Sequence, residues 1–454
     1  MNYIAQILFI LCFAGAAYVI SRRFSRIGKN IGLGRPENRR DRPAERWKTT
    51  LLIAFGQKKM FDKPLVGIMH FVIYAGFLII NVEVLEILFD GVFGTHRIMA
   101  PFLGSIYPVL INGFEFLALG VLVVCVIFLC RRNLVKVRRF QPDAHREMTR
   151  WPRLDADIIL VTEIFLMWAF LSMNATDVLL QERGVGHYAD VRTGAFALSQ
   201  FLMPLFEGWS TSALVFYERS AWWFHILGIL AFGIYVTYSK HLHIFLAFPN
   251  AYFSRLEPKG EMKNMPEVTR EVQLMLGLTP TNVAGTDPVG TDPAGTEPVP
   301  GRFGAKDVQD LTWKNLMDAY SCTECGRCTA ACPANLTGKK LSPRKIMMDT
   351  RDRLQEVGEG IEKHGTGHDD GKSLFGDYIT SEEILACTTC TACVQECPIN
   401  IDPLSIILQL RRYQIMEEAK APGSWNAMFA NVENNQAPWK FSPADRFNWA
   451  EKLK

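Results

Sequence analysis

Two absences divide this 454-residue chain. After Pro249 no apolar run is long enough to cross a bilayer, which takes about 20 residues of helix. Before Pro249 the only cysteines are Cys12, Cys125 and Cys130. They share no ligand spacing, so they read as small buried or lipid-facing residues. The glycine-rich stretch Gly28–Gly34 lacks the strand–turn–helix setting that gives such a motif meaning, which excludes a nucleotide fold there. A formal net charge of +3 gives no ground for a nucleic-acid partner; the distribution of charge says more.

Five stretches before Pro249 are long and apolar enough to span: Tyr3–Ile20, Leu65–Phe89, Val109–Leu129, Ile158–Leu180 and Trp222–Phe248. A shorter piece, Ala195–Phe206, is a candidate for a sixth crossing or a re-entrant helix. Basic residues crowd the segments 22–63 and 130–157, whereas Gly91–Tyr107 holds only Arg97 and Gln181–Ser220 few charges of both signs. The positive-inside rule then places the N-terminus outside and everything after Phe248 in the cytoplasm, for a bacterial-type inner membrane protein. Positive charges follow the first apolar stretch instead of preceding it, so it reads as a retained helix. Phe55–Pro64, with Lys58, Lys59 and Lys63, reads as a basic lead-in that marks topology and touches anionic lipid, or else holds haem propionates.

Histidine inside hydrocarbon is costly without a partner or a purpose. His70 lies near the inner end of the second span, His225 near the outer end of the fifth, and His241 and His243 near its inner end. His70 with His241 or His243 is suited to clamp a b-type haem by both axial positions; helix phase decides between the two, and His241 is favoured because His243 lies nearer the polar end. The bland alternative is a His-Leu-His triplet that caps a helix or meets headgroups. A second, outer haem would need His225 and a partner such as His187 or His96. Glu83, Glu115, Glu163 and Asp177 are candidates for a quinone site or proton path, with ordinary pairing as the competing reading.

The strongest signal is the cysteine pattern. Cys322, Cys325, Cys328 and Cys332 follow C-x2-C-x2-C-x3-C into Pro333, and Cys387, Cys390, Cys393 and Cys397 repeat it into Pro398. Three thiolates from one tight loop and a fourth from the other run are what a pair of [4Fe-4S] cubanes requires. One cluster then takes Cys322, Cys325, Cys328 and Cys397; the other takes Cys387, Cys390, Cys393 and Cys332. Zinc sites place two CxxC pairs apart without a third cysteine in step, and disulfides do not suit a reducing compartment.

The expected organisation is mostly α: a membrane helical bundle at 1–250, a linker at 251–305, a two-cluster helical ferredoxin domain at 306–420 and a tail at 421–454. The repeat Gly285–Gly301 has no apolar face and reads as an exposed spacer. Helices are expected over Glu267–Leu276, Pro343–Glu356, Thr380–Ala386 (with a Thr380–Glu383 capping box) and Pro403–Glu418, and a loop over Glu359–Lys372.

His70 together with Trp222–Asn250 resembles the haem-b membrane subunits of respiratory nitrate reductase and of membrane-bound heterodisulfide reductase. The runs Cys322–Pro343 and Cys387–Ile399 resemble the helical ferredoxin module of heterodisulfide reductases and related iron–sulfur oxidoreductases. The resemblance implies haem ligation by His70, His225 and one of His241 or His243, with quinone nearby. It departs in having one histidine in the second span where the family has two, and in having no cysteine after Cys397 for a catalytic cluster. The function expected is a membrane subunit linking a quinone pool, menaquinone first among them, through one or two haems and two cubanes to a cytoplasmic redox partner. That partner would be a cysteine-rich iron–sulfur protein or a flavoprotein. A wiring anchor without its own quinone site and a redox-responsive sensor are the rivals.

Overall fold

The computed structural model describes residues 3–190, 193, 196–278, 302–451 and 453. The spacer Gly285–Gly301 lies outside them. The described residues are mostly helical, with isolated bridges and no strand. In chain order the elements that matter are α1 (Tyr3–Ile31), α2 (Pro43–Thr50), α3 (Pro64–Phe93), α4 (Ile106–Asn133), α5 (Arg150–Glu182), α6 (Thr211–Val236) and α7 (His243–Tyr252). Beyond the linker come α8 (Trp313–Ser321), α9 (Pro343–His364), α10 (Pro403–Arg412) and α11 (Gly423–Asn435).

Five helices, α1, α3, α4, α5 and α6, are long and apolar enough to cross a membrane. Each of α3 to α6 packs on the next, and α1 lies against both α3 and α6, closing the group into a ring. Their outward faces carry exposed Leu8, Leu78, Phe116, Phe165 and Phe224, as a bundle solvated by lipid should.

The fifth span differs from the sequence reading. It begins at Thr211, where the Ser210 hydroxyl accepts from the Ala213 amide, and ends at Val236. The pair Glu218–Arg219 disguises its first turns as a loop. These charges are satisfied within the bundle: Arg219 bonds Glu218, and the Tyr188 hydroxyl donates to Glu218 at 2.5 Å. Consequently His225 lies near the middle of the span, while His241 and His243 lie beyond it, after a break at Thr237–Ser239. The segment from Phe196 to Phe206 is two short 3-10 turns at Ser199–Phe201 and Met203–Leu205, too short to cross a bilayer.

The first helix overruns the bilayer. Its 29 residues reach roughly 43 Å, against a hydrocarbon core of about 30 Å. The surplus turns enter the C-terminal domain, where Ile27 joins a core built from Leu316, Ile346, Leu354, Ile406 and Leu410. Asn30 donates to the Tyr320 hydroxyl at 2.8 Å, and Arg26 pairs with Glu362 at 2.7 Å. Gly358 of α9 makes the approach feasible, since a Cβ there would collide with the Asn30 side-chain amide. Arg35 completes the seam with a backbone bridge to Thr312. Membrane bundle and cysteine domain are therefore one packed body.

Local signals behave as read within the C-terminal domain. The Thr380–Glu383 capping box forms at the start of a short helix, Ser381–Leu385. Prolines occupy the first turns of α9 and α10, where the missing N–H costs nothing. Helix α9 continues to His364, past the expected stop at Glu356.

Candidate functional site: two cysteine loops and a histidine turn

The two cysteine loops have the same backbone. Glu324 and Gly326 adopt positive φ (54° and 70°), and so do Thr389 and Thr391 at the equivalent places (56° and 60°). Left-handed residues flanking Cys325 and Cys390 turn successive amides inward, the nest that carries negative charge well. The Thr389 amide donates to Cys387 Sγ at 3.4 Å and the Ile401 amide to Cys397 Sγ at 3.3 Å.

Each loop meets the last cysteine of the other. Cys397 lies within electrostatic reach of Cys322 and Cys325, and Cys332 within reach of Cys387 and Cys393. Burial pushes the Cys322 and Cys397 thiols up to about 12, with weaker opposing hydrogen bonds from backbone amides. Bare Cys322 and Cys397 thiols stay protonated at neutral pH, and a bound cationic group would hold them as thiolates. The donor set, three cysteines of one loop with the last cysteine of the other, is the one a cubane takes.

Charged residues from the bundle brace these loops. Glu324, 5% exposed between Cys322 and Cys325, is clamped by Lys240 at 2.6 Å and Arg351 at 2.8 Å. Lys240 immediately precedes His241. Lys59 donates to the carbonyls of Val394 and Cys397 at 3.3 and 3.1 Å, while Arg327 donates to the Lys59 carbonyl at 3.0 Å. Arg344, fully buried, pairs with Glu147 at 2.9 Å and donates to the Arg139 carbonyl at 2.7 Å. In the sequence, the basic residues of the bundle's loops read as topology markers, because only their density is visible there and not their individual partners.

The histidine turn sits against this brace. The rings of His241 and His243 are 5.3 Å apart and nearly perpendicular, and His70 lies within electrostatic reach of His241. His70 Nδ1 is 2.8 Å from Gln57 Oε1 and His243 Nδ1 is 3.1 Å from the Lys240 carbonyl. Carbonyl oxygens only accept, so Nδ1 carries the proton in both rings and Nε2 is left as the lone-pair donor, the tautomer metal-bound histidines use. Burial, with His243 and His70 nearby, takes His241 down to about 3, and burial also lowers His243 against its bond to Lys240. Both are neutral imidazoles at physiological pH, the form that ligates metal.

Residues 321–401 match the family model for a 4Fe-4S dicluster domain. The chain is 27% identical to a probable iron-sulfur-binding oxidoreductase, FadF, of Bacillus subtilis, over 98% of this chain and 61% of that protein. It is 27% identical to the EtfAB:quinone oxidoreductase of Syntrophomonas wolfei, over 91% of this chain and 55% of the relative. It is also 32% identical, over 23% of its length and 52% of the relative's, to one component of a ferredoxin/F(420)H(2)-dependent CoB-CoM heterodisulfide reductase of Methanosarcina acetivorans. The chain thus spans about three fifths and just over half of the first two relatives. No solved structure matches it. The comparisons point to an iron–sulfur protein whose dicluster domain is similar to heterodisulfide reductase components, and five of its helices are long and apolar enough to cross a membrane.

At the end of the bundle away from the dicluster domain lies a second, buried polar group. Arg97 bonds Asp177 at 2.8 Å and Asn174 at 3.0 Å, and its amide donates to Asp90 at 2.7 Å. Tyr107 donates to Glu86 at 2.8 Å. Glu115 accepts from Asn174, from the Leu198 and Ser199 amides and from the Ser199 hydroxyl, so it holds the 196–206 segment in place. Glu83, 3% exposed, leaves Oε2 without a partner among the described residues. Glu163 stands apart, near Cys125.

His187 packs on His96 and Tyr188, with rings 5.2 and 4.1 Å away, and His96 Nε2 is 3.4 Å from Asp177. His225 instead places Nδ1 at 3.0 Å from the Leu166 carbonyl, with Phe170 as its ring neighbour. The structure does not bring His187 or His96 to His225. Arg97, the lone basic residue of its loop, and the in-span carboxylates Glu83, Glu115 and Asp177 are the signs of this network that the sequence offers; their pairing is not legible there.

Proposed function

We propose that the chain connects a membrane quinone pool, menaquinol or a related quinol, to a soluble redox partner on the side of the dicluster domain. The observation that carries this is continuity. The histidine turn, the first cysteine loop and the second cysteine loop are joined by Lys240–Glu324 at 2.6 Å and by Lys59, which bonds the Val394 and Cys397 carbonyls. The first two relatives support the reading, one being named as a quinone oxidoreductase. When bound, two [4Fe-4S] clusters and a b-type haem supply one-electron redox chemistry between quinol and partner.

The chain's own residues do the rest. His70 and His243 hold haem, each fixed through Nδ1; the hydrogen bonds favour His243 over His241. A single haem is proposed, since His225 has no second imidazole beside it among the described residues. Glu83, with its unpartnered oxygen, takes the proton that quinol oxidation releases; Glu115 and Asp177 are already engaged in structure. The cysteines hold the clusters as paired above. The redox partner is an iron–sulfur or flavin protein. By the positive-inside rule that partner is cytoplasmic, in a bacterial-type inner membrane with the N-terminus outside.

The test is a set of variants in the purified protein. His243→Ala should abolish the haem absorption bands with both cluster signals retained, whereas His241→Ala should keep the bands. Glu83→Gln should slow cluster reduction by a quinol analogue at least tenfold with haem and iron content unchanged. Full haem content in both histidine variants, or an unaffected rate in Glu83→Gln, would refute these assignments.

A further inference from the structure

Beside the second cysteine loop a cleft of about 510 Å³ opens between the segments 37–59, 255–263 and 389–412. Its size is that of a small-molecule site. Its lining is unbalanced in charge: seven Lys and Arg side chains among the described residues face only Glu37, Glu257, Glu261 and Asp402. Lys58 and Lys259 are exposed, and among the described residues neither ammonium has a carboxylate partner. Arg39 and Lys263 pair with Glu37, and Arg255 with Glu257, while the buried Nε of Arg39 makes no hydrogen bond. Burial holds Arg39 and Lys263 below their ordinary values, with nearby carboxylates only partly offsetting it. The lining therefore keeps a positive excess, to which Lys58 and Lys259 contribute as ammoniums that pair with no carboxylate among the described residues. The rest of the wall is apolar, from Leu52, Leu256, Met262, Leu404 and Leu408. At one rim stands the α2 region, whose Trp47, Leu51 and Phe55 are exposed at the end of the bundle.

We infer that this cleft binds a phosphate-bearing amphiphile, its anionic group held by Lys58, Lys259 and Arg39 and its apolar body laid along Leu52 and Leu256. Two sources share that chemistry: an acidic phospholipid reaching in from the bilayer past α2, and a soluble phosphate ester carrying a flat ring. Either would neutralise the cleft beside Thr389 and Thr391 of the second loop. A bound anion there ties the 255–263 segment to the domain's outer cluster loop.

The experiment uses the full-length, cluster-loaded protein in nanodiscs of phosphatidylcholine with or without phosphatidylglycerol, and in detergent with inorganic phosphate or AMP. The expected result is saturable binding of one of these probes, seen by native mass spectrometry and a rise in unfolding temperature. In Lys58→Gln/Lys259→Gln the affinity should fall at least tenfold. Preference for phosphatidylglycerol identifies the lipid source, and preference for AMP the soluble one. Both substituted side chains are exposed, and unchanged cluster signals in the variant verify that it is folded. Binding of none of the probes, or equal binding by variant and parent, overturns the proposal; so does capture only of an acidic protein segment.

Discussion

Single residues carry the cluster loops. Gly326 has φ 70° and lies against Arg344, where a Cβ would stand 2.5 Å from Nη1. Arg344 cannot yield, since it is fully buried and bonded to both Glu147 and the Arg139 carbonyl. Gly326→Ala should therefore cost the first cluster, lowering iron by about four per chain in metal analysis. Thr391→Ala, at the equivalent position of the second loop, should keep its iron, because an L-residue is already accepted there. Full iron in Gly326→Ala would show that the loop has slack the structure lacks. At this scale the sequence is highly legible for thiolates, because cysteine spacing is chemistry written along the chain. It is poorly legible for Glu324, Lys59 and Arg344, whose partners come from distant segments that no local pattern joins.

Elements show where long-range packing overrides the hydropathy pattern. Apolar content locates all five spans, but Glu218–Arg219 hides the start of α6, since an internally satisfied ion pair reads like a loop charge. The overrun of α1 is equally hidden: its basic last turns read as a loop, yet they are helix docked on α8 and α9. The segment between α4 and α5 docks through Glu147 and Arg344 at 2.9 Å, with both side chains buried. Removing one partner leaves the other charge uncompensated, so Glu147→Gln should destabilise the docked domain by about 3–5 kcal/mol. Burial raises the Glu147 carboxyl, but Arg344 and Ser342 outweigh it and hold it below its usual value. The stabilisation is therefore complete above the unfolded-chain value of about 4.3 and is lost as pH falls through the lower folded one. Thermal unfolding in detergent should show that acid loss in the parent and a smaller one in Glu147→Gln. Identical acid curves would show that the pair contributes nothing.

The whole molecule is a lipid-facing ring of helices with an iron–sulfur domain locked to the end that carries the basic loops. That arrangement follows from charge distribution plus packing, and it predicts sidedness. Protease added to inside-out vesicles should cleave the exposed 258–262 and 365–372 segments, whereas right-side-out vesicles should protect them. Cleavage only from the outside would reverse the proposed topology. The dicluster domain, the mostly helical bundle and the membrane character are all readable from composition and spacing. The pairing of histidines is not, because helix phase across a break at Thr237–Ser239 cannot be counted through.

The central claim is that two cross-braced cubanes lie next to a histidine-held haem in one packed body. Combined metal analysis, low-temperature electron paramagnetic resonance and optical redox titration of the purified chain test it most directly. The account predicts about eight cluster iron atoms per chain, two magnetically interacting [4Fe-4S] centres and one low-spin haem. Stoichiometric zinc in place of iron, or a single isolated cluster with no haem absorption, would contradict it.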